Sequence, residues 1–454
     1  MQKQSLTGNQ ELALYCARRK LSLFDTSSKQ VIDESCFEGV DDVGQYHFTL
    51  NDISWQISES EALKGYKKVN TLLKDVPIKK GDKRVAFLLD SFFIGNASGI
   101  YTFIKHFAQM CAENALMLDV IVDVTDIDGE DVAFPNGIDL SHVSLFSMPM
   151  FAENSKELPV HSFEFEKEVR SRTFEQGLAQ YLRDFTPSLV VSHSYASTLA
   201  LDSMNDEFDA LGIPRIAYTH IGDIMSPDSN FTDFSSDLVI DYLRLLKDIK
   251  FEIGTQTIGV KSQLESLIPE ANVKLLPEPF YEPRVVYRTT NGTKGVLIIG
   301  SNYERKNFDL MFEILAITGL PVTVVCGQDL GRDGRTLKEM AHEAGVQGYR
   351  QLTNVPNDFL PGIIRQHRVL LHLSDIEIMP YAILEASVHI PCVVNGNAPW
   401  SKDFPCPHIK VDPNDIFECV QTLSEAYGDT FEYRGLDVDE YAKNCEEAWL
   451  NEIV

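Results

Sequence analysis

Two carboxylates interrupt an otherwise apolar pattern in the stretch 374–390, SDIEIMPYAILEASVHI, where seven residues including Pro380 separate Glu377 from Glu385. Carboxylates are rarely buried unless something pairs with them, so a helix that only filled a core would not carry both. The run RVLLHLS before them reads as a strand and residues 375–379 as its exit loop. Pro380 suits the first turn of the next helix, where its missing N–H costs little. At about 1.5 Å of rise per residue, Glu385 then sits roughly 7 to 8 Å further along the helix axis than the loop. That is too far for two carboxylates to share a proton, and it suits one elongated ligand touched at two points. Carboxylates accept hydrogen bonds from vicinal hydroxyls, so a sugar at one end and a ribose at the other match them chemically. The plain alternative is an exposed loop glutamate and a helix glutamate in ordinary ion pairs.

Other residues of this kind follow predicted strands, and ligands of open α/β sheets bind outside the carboxyl ends of strands. After GVLIIG comes SNYERKNF, with Arg305 and Lys306 side by side before a helix. A guanidinium fork beside a compact ammonium could hold a diphosphate leaving group; alone, the pair could equally be a solvated basic turn. SFFIGNASGIYTF sets Gly95, Asn96 and Gly99 ahead of another helix, where backbone N–H groups can approach an anion or an acceptor. A lone glycine loop is also an ordinary strand-to-helix turn. His193 in VVSHSYAS and His220 in AYTHIGD each end a strand. Both fit contacts with a transferred group, and each alone fits a hydrogen-bonded structural histidine. DIDGED (126–131) and DVD (437–439) match an Asp-x-Asp pattern formally, but the first lacks a calcium-loop spacing and the second reads as surface helix, so no metal site is expected.

The elements that must position these residues are βαβ units. From residue 84, apolar strand-length runs alternate with amphipathic segments: RVAFLLD, LMLDVIVDV, HVSLFSM, PSLVVSH, RIAYTH, TQTIGV and ANVKLLPEPF. LLPEPFYEPRVVYRTTNGTKG, with three prolines and an Asn-Gly turn, breaks the series as a linker would. A second series follows: GVLIIGS, LPVTVVCG, GYRQLT, RVLLHLS and IPCVVNG. The expected organisation is an N-terminal extension over 1–82, a first Rossmann-like domain over 83–285 and a second over 286–430. A helix in 431–454 is expected to pack back on the first domain.

Bulk properties narrow the partners. Lys and Arg number 40 against 67 Asp and Glu, a formal charge of −27, which repels phosphate backbones and anionic lipid except at a locally basic groove. Nucleic acid is therefore not an expected partner outside such a groove. Eight scattered cysteines without a CxxC pair read as reduced thiols. The start of the chain lacks the features of a secretory signal, and no apolar run approaches the roughly 20 residues of a bilayer span, so a cytoplasmic protein without a transmembrane segment is expected.

Taken in order over residues 84–454, these motifs resemble the family 4 glycosyltransferases, retaining nucleotide-sugar enzymes with the two-Rossmann-domain GT-B fold. GNASGIYTF resembles the family's glycine loop, THIGD its His-Asp strand end, VKLLPEPF its Ile-Pro-Asn-Pro linker and GSNYERKNF its Gly-Arg…Lys-Gly/Asn loop. EIMPYAILEASVHIPCVV resembles the two-glutamate signature and the strand after it, and is the most specific match. The resemblance implies an α/β GT-B fold with two Rossmann-like domains facing a cleft. It implies that Glu385 binds the donor ribose, Lys306 neutralises the diphosphate and Glu377 faces the sugar hydroxyls. His220 would touch the sugar from the first domain and Gly99 would lie near the diphosphate and the acceptor. Tyr381 and Ala382 fall within the donor motif, and His193 and Asn96 are expected at the sugar or acceptor.

The implied co-substrate is a nucleotide-diphosphate-sugar, UDP- or GDP-linked, with a hydroxyl acceptor on a glycan or lipid-linked saccharide and no obligatory cofactor or metal. Two departures stand out. Ser301 occupies the place of the family's Arg, so Arg305 would substitute from a neighbouring position. Ile378 and Pro380 replace glycines, removing an N–H donor and a close backbone approach. Two further readings use the same plan: a phage-type DNA glycosyltransferase acting on hydroxymethylated bases, and a GT-B protein that binds without turnover. A Rossmann oxidoreductase is disfavoured, since neither first strand is followed by G-x-G-x-x-G.

Overall fold

The computed structural model describes residues 37–40, 45–50, 53–58, 83–89, 99–124, 142–149, 163–219, 236–281, 295–327, 329–331, 333–353, 355, 360–377, 379–428 and 431–453. Three strands of the N-terminal extension, β1 (Phe37–Val40), β2 (Gln45–Leu50) and β3 (Ile53–Ser58), pair antiparallel in the order β1-β2-β3. QYHFTL and ISWQIS, β-like in sequence, are the second and third of them.

Seven strands make a parallel sheet: β4 (Arg84–Leu89), β5 (Met117–Val124), β6 (Val143–Pro149), β7 (Leu189–Ser192), β8 (Arg215–Tyr218), β9 (Glu252–Thr255) and β10 (Val273–Leu275), in the order β10-β9-β8-β7-β4-β5-β6. Six more make a second: β11 (Val296–Ile299), β12 (Val322–Cys326), β13 (Tyr349–Thr353), β14 (Val369–His372), β15 (Cys392–Asn395) and β16 (Ile409–Val411), in the order β13-β12-β11-β14-β15-β16. Both follow the 3-2-1-4-5-6 order of a Rossmann sheet, the first with a seventh strand added. Their near-continuous apolar character has a direct cause. Helices cover both faces of a parallel sheet, and all six residues of β4 and all five of β12 are buried. The order reverses between β4 and β7 in one sheet and between β11 and β14 in the other, and a crevice opens at such a point.

The helices include α1 (Gly99–Glu113), α2 (Tyr195–Ser203), α3 (Ile258–Leu267), α4 (Phe308–Thr318), α5 (Tyr381–Ser387) and α6 (Val438–Ile453). TQTIGV, read as a strand, is instead a strand end and a helix start. Thr255 closes β9, and Thr257 caps α3 by accepting a hydrogen bond from the N–H of Val260 at 3.2 Å. Threonine serves both strand and N-cap, and here the cap decides.

The chain divides into compact units between Phe280 and Tyr281 and again between Asp439 and Glu440. Residues 440–453 of α6 belong with the first sheet. Trp449, fully buried, packs its ring against Phe107 at 4.8 Å, Tyr218 at 5.1 Å and Phe103 at 6.3 Å. The same helix takes hold of the proline-rich exit from β10: Trp449 Nε1 donates to the carbonyl of Pro277 at 2.9 Å and Tyr441 Oη to that of Glu278 at 2.9 Å. Among the described residues no helix is long and apolar enough to cross a membrane.

Candidate functional site

The carboxyl ends of β11 and β14, on either side of the second sheet's reversal, carry the residues of interest. β11 ends at Ile299; Gly300 and Ser301 come next, and a short 3-10 turn, Glu304–Lys306, follows. Asn307 then takes a left-handed conformation (φ 56°) and serves as the N-cap of α4. Asparagine tolerates that conformation, and its side chain adds a tie, donating to the carbonyl of Leu373 at 2.9 Å. Two more bonds lace the turn to the loop after β14. The N–H of Asp375 donates to the carbonyl of Arg305 at 2.9 Å, and Ser374 Oγ donates to the same carbonyl at 3.1 Å.

The lacing brings Lys306 and Glu377 together although they lie 71 positions apart in sequence: Lys306 Nζ donates to Glu377 Oε1 in an ion pair with both side chains largely buried. The stem of Lys306 runs over Gly300, where a Cβ would meet its Cδ and Cε at 3.7 Å. Glu377 Oε1 takes a second hydrogen bond, from His372 Nε2 at 2.8 Å. Burial alone would raise the Glu377 pKa; the Lys306 charge and the His372 bond outweigh it and hold the carboxyl well below the usual carboxylate range. Burial pushes His372 below the ordinary histidine value, against the opposing pull of Glu377, so the ring is neutral at neutral pH. A carboxylate can only accept, so the neutral ring carries its proton on Nε2.

Glu385 lies inside α5 and is 8% exposed, with Tyr381 at the helix start also buried and Ala382 partly exposed. Pro380 sits one position earlier than expected. It is the N-cap (φ −74°, ψ 87°) rather than a first-turn residue, and its carbonyl accepts from the N–H of Ile383 at 2.8 Å. The ring that fixes φ leaves ψ free, so a proline can deliver the first intrahelical acceptor from outside the helix. The far end of α5 is fastened by the segment 431–437: the carbonyl of Ser387 accepts from Tyr433 Oη at 2.7 Å and from the N–H of Leu436 at 2.9 Å.

The other predicted residues are less concentrated. Arg305 lies with its guanidinium over the Tyr303 ring, 4.8 Å from the centroid. Ser301 Oγ stands 3.3 Å from where a Cβ on Gly327 would project, so the end of β12 approaches closely. In the first sheet, Gly99 is the first residue of α1, and His193 follows β7, buried at 5% exposure beside the Phe87 ring. Burial pushes the His193 pKa down to about 3. Asn96, His220, Ile378 and the segment DIDGED lie outside the described residues. Among the described residues no group of three or more His, Cys, Asp or Glu could hold a metal ion.

The sequence reading missed His372, Asn307 and Trp400. In the sequence His372 reads as one more strand residue of RVLLHLS. The available signal was a polar side chain in a fully buried strand, which needs a partner, with Glu377 five residues on. Trp400 lies edge-on to His372 with ring centroids 5.8 Å apart, and its Nε1 donates to the carbonyl of Ser374 at 3.0 Å. Nothing local in APW announces that contact.

No protein-family profile matches the chain, and no curated protein matches it by sequence. Solved structures do. Sucrose-phosphate synthase from Thermosynechococcus elongatus matches with a TM-score of 0.61 at 12% identity over 82% of this chain and 94% of that one. TarM from S. aureus, a mutant solved with UDP among its ligands, matches with a TM-score of 0.54 at 9% identity over 82% and 99%. HepE from Anabaena, solved in complex with UDP-glucose, matches with a TM-score of 0.52 at 15% identity over 81% and 94%.

Proposed function

From the GT-B fold that these likenesses establish, we propose that the protein is a glycosyltransferase moving a sugar from a nucleotide-diphosphate-sugar to a hydroxyl acceptor with retention of configuration. The observation that carries the proposal is the pairing of Lys306 with Glu377 at the reversal point of the second sheet, with Glu385 further along in α5. Departure of a nucleotide diphosphate builds negative charge on its oxygens, and a fixed ammonium aimed there stabilises the transition state more than the ground state. Lys306 takes that role. Its largely buried position strengthens the interaction, and Glu377 keeps it oriented before the donor arrives.

Glu377, held ionised and unable to donate, accepts hydrogen bonds from the hydroxyls of the transferred sugar. Glu385 accepts from the ribose hydroxyls, and Arg305, one residue from Lys306, supplies a second cation to the diphosphate in place of the family's arginine at Ser301. Gly99, Asn96, His193 and His220 keep in this proposal the acceptor and sugar roles that the resemblance implies for them. Because HepE and TarM were solved with uridine nucleotides, UDP-sugars head the donor panel and GDP-sugars follow.

Thermal shift against UDP-glucose, UDP-N-acetylglucosamine and GDP-mannose tests the proposal, since a ligand bound only by the folded state raises the apparent stability. At least one donor should raise Tm and be slowly hydrolysed, and Lys306→Ala and Glu385→Ala should each abolish the shift. If no donor is bound or hydrolysed, or both variants respond as the parent does, the assignment is wrong.

A further inference from the structure

We infer that His372 is a positioning residue of the transfer reaction, fixing the Glu377 carboxylate so that one oxygen is anchored and the other is presented to the donor sugar; the inference rests on the function proposed above. The geometry is specific to this pair of elements. His372 is the last residue of β14, 3% exposed, and Glu377 sits five residues on in the loop that the turn Glu304–Lys306 laces down. Both protein donors, His372 Nε2–H and Lys306 Nζ, converge on the single oxygen Oε1.

No donor among the described residues is found on Oε2, and the Glu377 side chain keeps 11% of its surface exposed. A carboxylate has about four acceptor sites on two oxygens. Loading two donors on one oxygen leaves the other available to a ligand. Without His372 the carboxyl group is free to turn about its terminal torsion, which is broad and roughly two-fold, and can offer both oxygens to Lys306. Such a bidentate arrangement would withdraw Oε2 from a sugar hydroxyl and draw the ammonium away from a diphosphate.

The imidazole is itself held. Trp400 packs edge-on against it, and the indole N–H is fixed on the carbonyl of Ser374. A hydrogen bond alone would not need burial or a second ring. A carboxylate locked to within a few tenths of an ångström does, because small misplacements of a group that contacts the reacting sugar are costly in rate. The charged groups facing His372 are Glu377 and Lys306, whose charges cancel, so the neutral ring leaves the site without excess positive charge.

Two measurements test this. In protein labelled with nitrogen-15 in its histidines, the ligand-free parent should have His372 as the Nε2–H tautomer with a hydrogen-bonded proton, and Glu377→Leu should lose that signature. The Nδ1–H tautomer, or a spectrum unchanged by Glu377→Leu, would overturn the contact. With the best donor from the panel UDP-glucose, UDP-N-acetylglucosamine and GDP-mannose, His372→Leu should lower kcat about tenfold or more. His372→Gln, which keeps an N–H at similar reach, should recover to within about threefold of the parent.

Turnover of His372→Leu at the parental kcat, or equal losses in Leu and Gln variants, overturns the positioning role while leaving the proposed function standing. A parent that binds and hydrolyses no donor in the panel overturns the function and the role in turnover together, while the nitrogen-15 result still stands as a statement about the contact.

Discussion

Within the site, a single oxygen atom organises the charge. Glu377 Oε1 collects Lys306 and His372, so each of the three groups has its partner before any ligand arrives. Removing one member of such a pair leaves a charge that is only slightly exposed. Glu377→Gln should therefore destabilise the fold by about 2–3 kcal/mol, somewhat below the cost for a fully buried pair, measurable by urea unfolding. Lys306→Met, which strands the carboxylate instead, should cost about as much and abolish donor binding.

A second residue-scale prediction concerns Gly435. A Cβ there would meet the carbonyl oxygen of Val388 at 2.6 Å, backbone that cannot move cheaply. Gly435→Ala should cost about 1–3 kcal/mol. The strain falls where Leu436 and Tyr433 hold the end of α5, so donor affinity should drop with it.

Among elements, the sheets were legible and the caps less so. Runs such as RVAFLLD and LPVTVVCG advertise fully buried parallel strands, because burial on both faces leaves no polar alternation to confuse the pattern. Single hydroxyl residues were ambiguous: Thr257 could extend β9 or cap α3, and only the tertiary position of α3 decides. Pro380 illustrates the same limit, since proline fits N1 and N-cap alike until ψ is known. The resemblance drew Lys306 and Glu377 into one site, but their contact depends on the lacing of two loops far apart in sequence, which no periodicity encodes. His372 was hidden because strand residues announce which face they occupy and not what lies beyond the strand end. At this scale α6 carries its own test. Trp449 is fully buried among Phe103, Phe107 and Tyr218, so Trp449→Ala should lose about 3–5 kcal/mol in chemical denaturation, with no change at the Lys306–Glu377 pair.

For the whole molecule, two charge properties lead to measurements. His106, His193, His367 and His372 are all buried, and burial, the largest cause in each case, lowers the pKa of all four, to about 3 for His193 and about 4 for His367. In the unfolded chain a histidine titrates near pH 6.5. As pH falls through about 6.5 toward 4, the unfolded state therefore binds protons that the folded state refuses, and stability is lost. His193 and His367 each contribute up to about 1.4 kcal/mol per pH unit across that window, and His106 and His372 act in the same direction. Urea unfolding at pH 7 and pH 5 should differ accordingly, and His367→Gln should flatten the slope by one proton. The net charge of −27 gives the second: at about 0.15 M salt the protein should show no measurable retention on duplex DNA, and retention there would point to a basic groove.

The division of the chain at 280/281 and 439/440 makes residues 281–439 an insertion within the unit built on the first sheet. Synthesis from the N-terminus then has a consequence. The slot formed by Phe103, Phe107 and Tyr218 is made early, yet the Trp449 that fills it emerges only after the whole inserted unit. For that interval an aromatic surface meant for the interior faces solvent, and the exit from β10 lacks the donors of Tyr441 and Trp449. The first sheet is made before the second yet completed after it, so chains stopped after Asp439 should carry a folded second sheet and an incomplete, aggregation-prone first one.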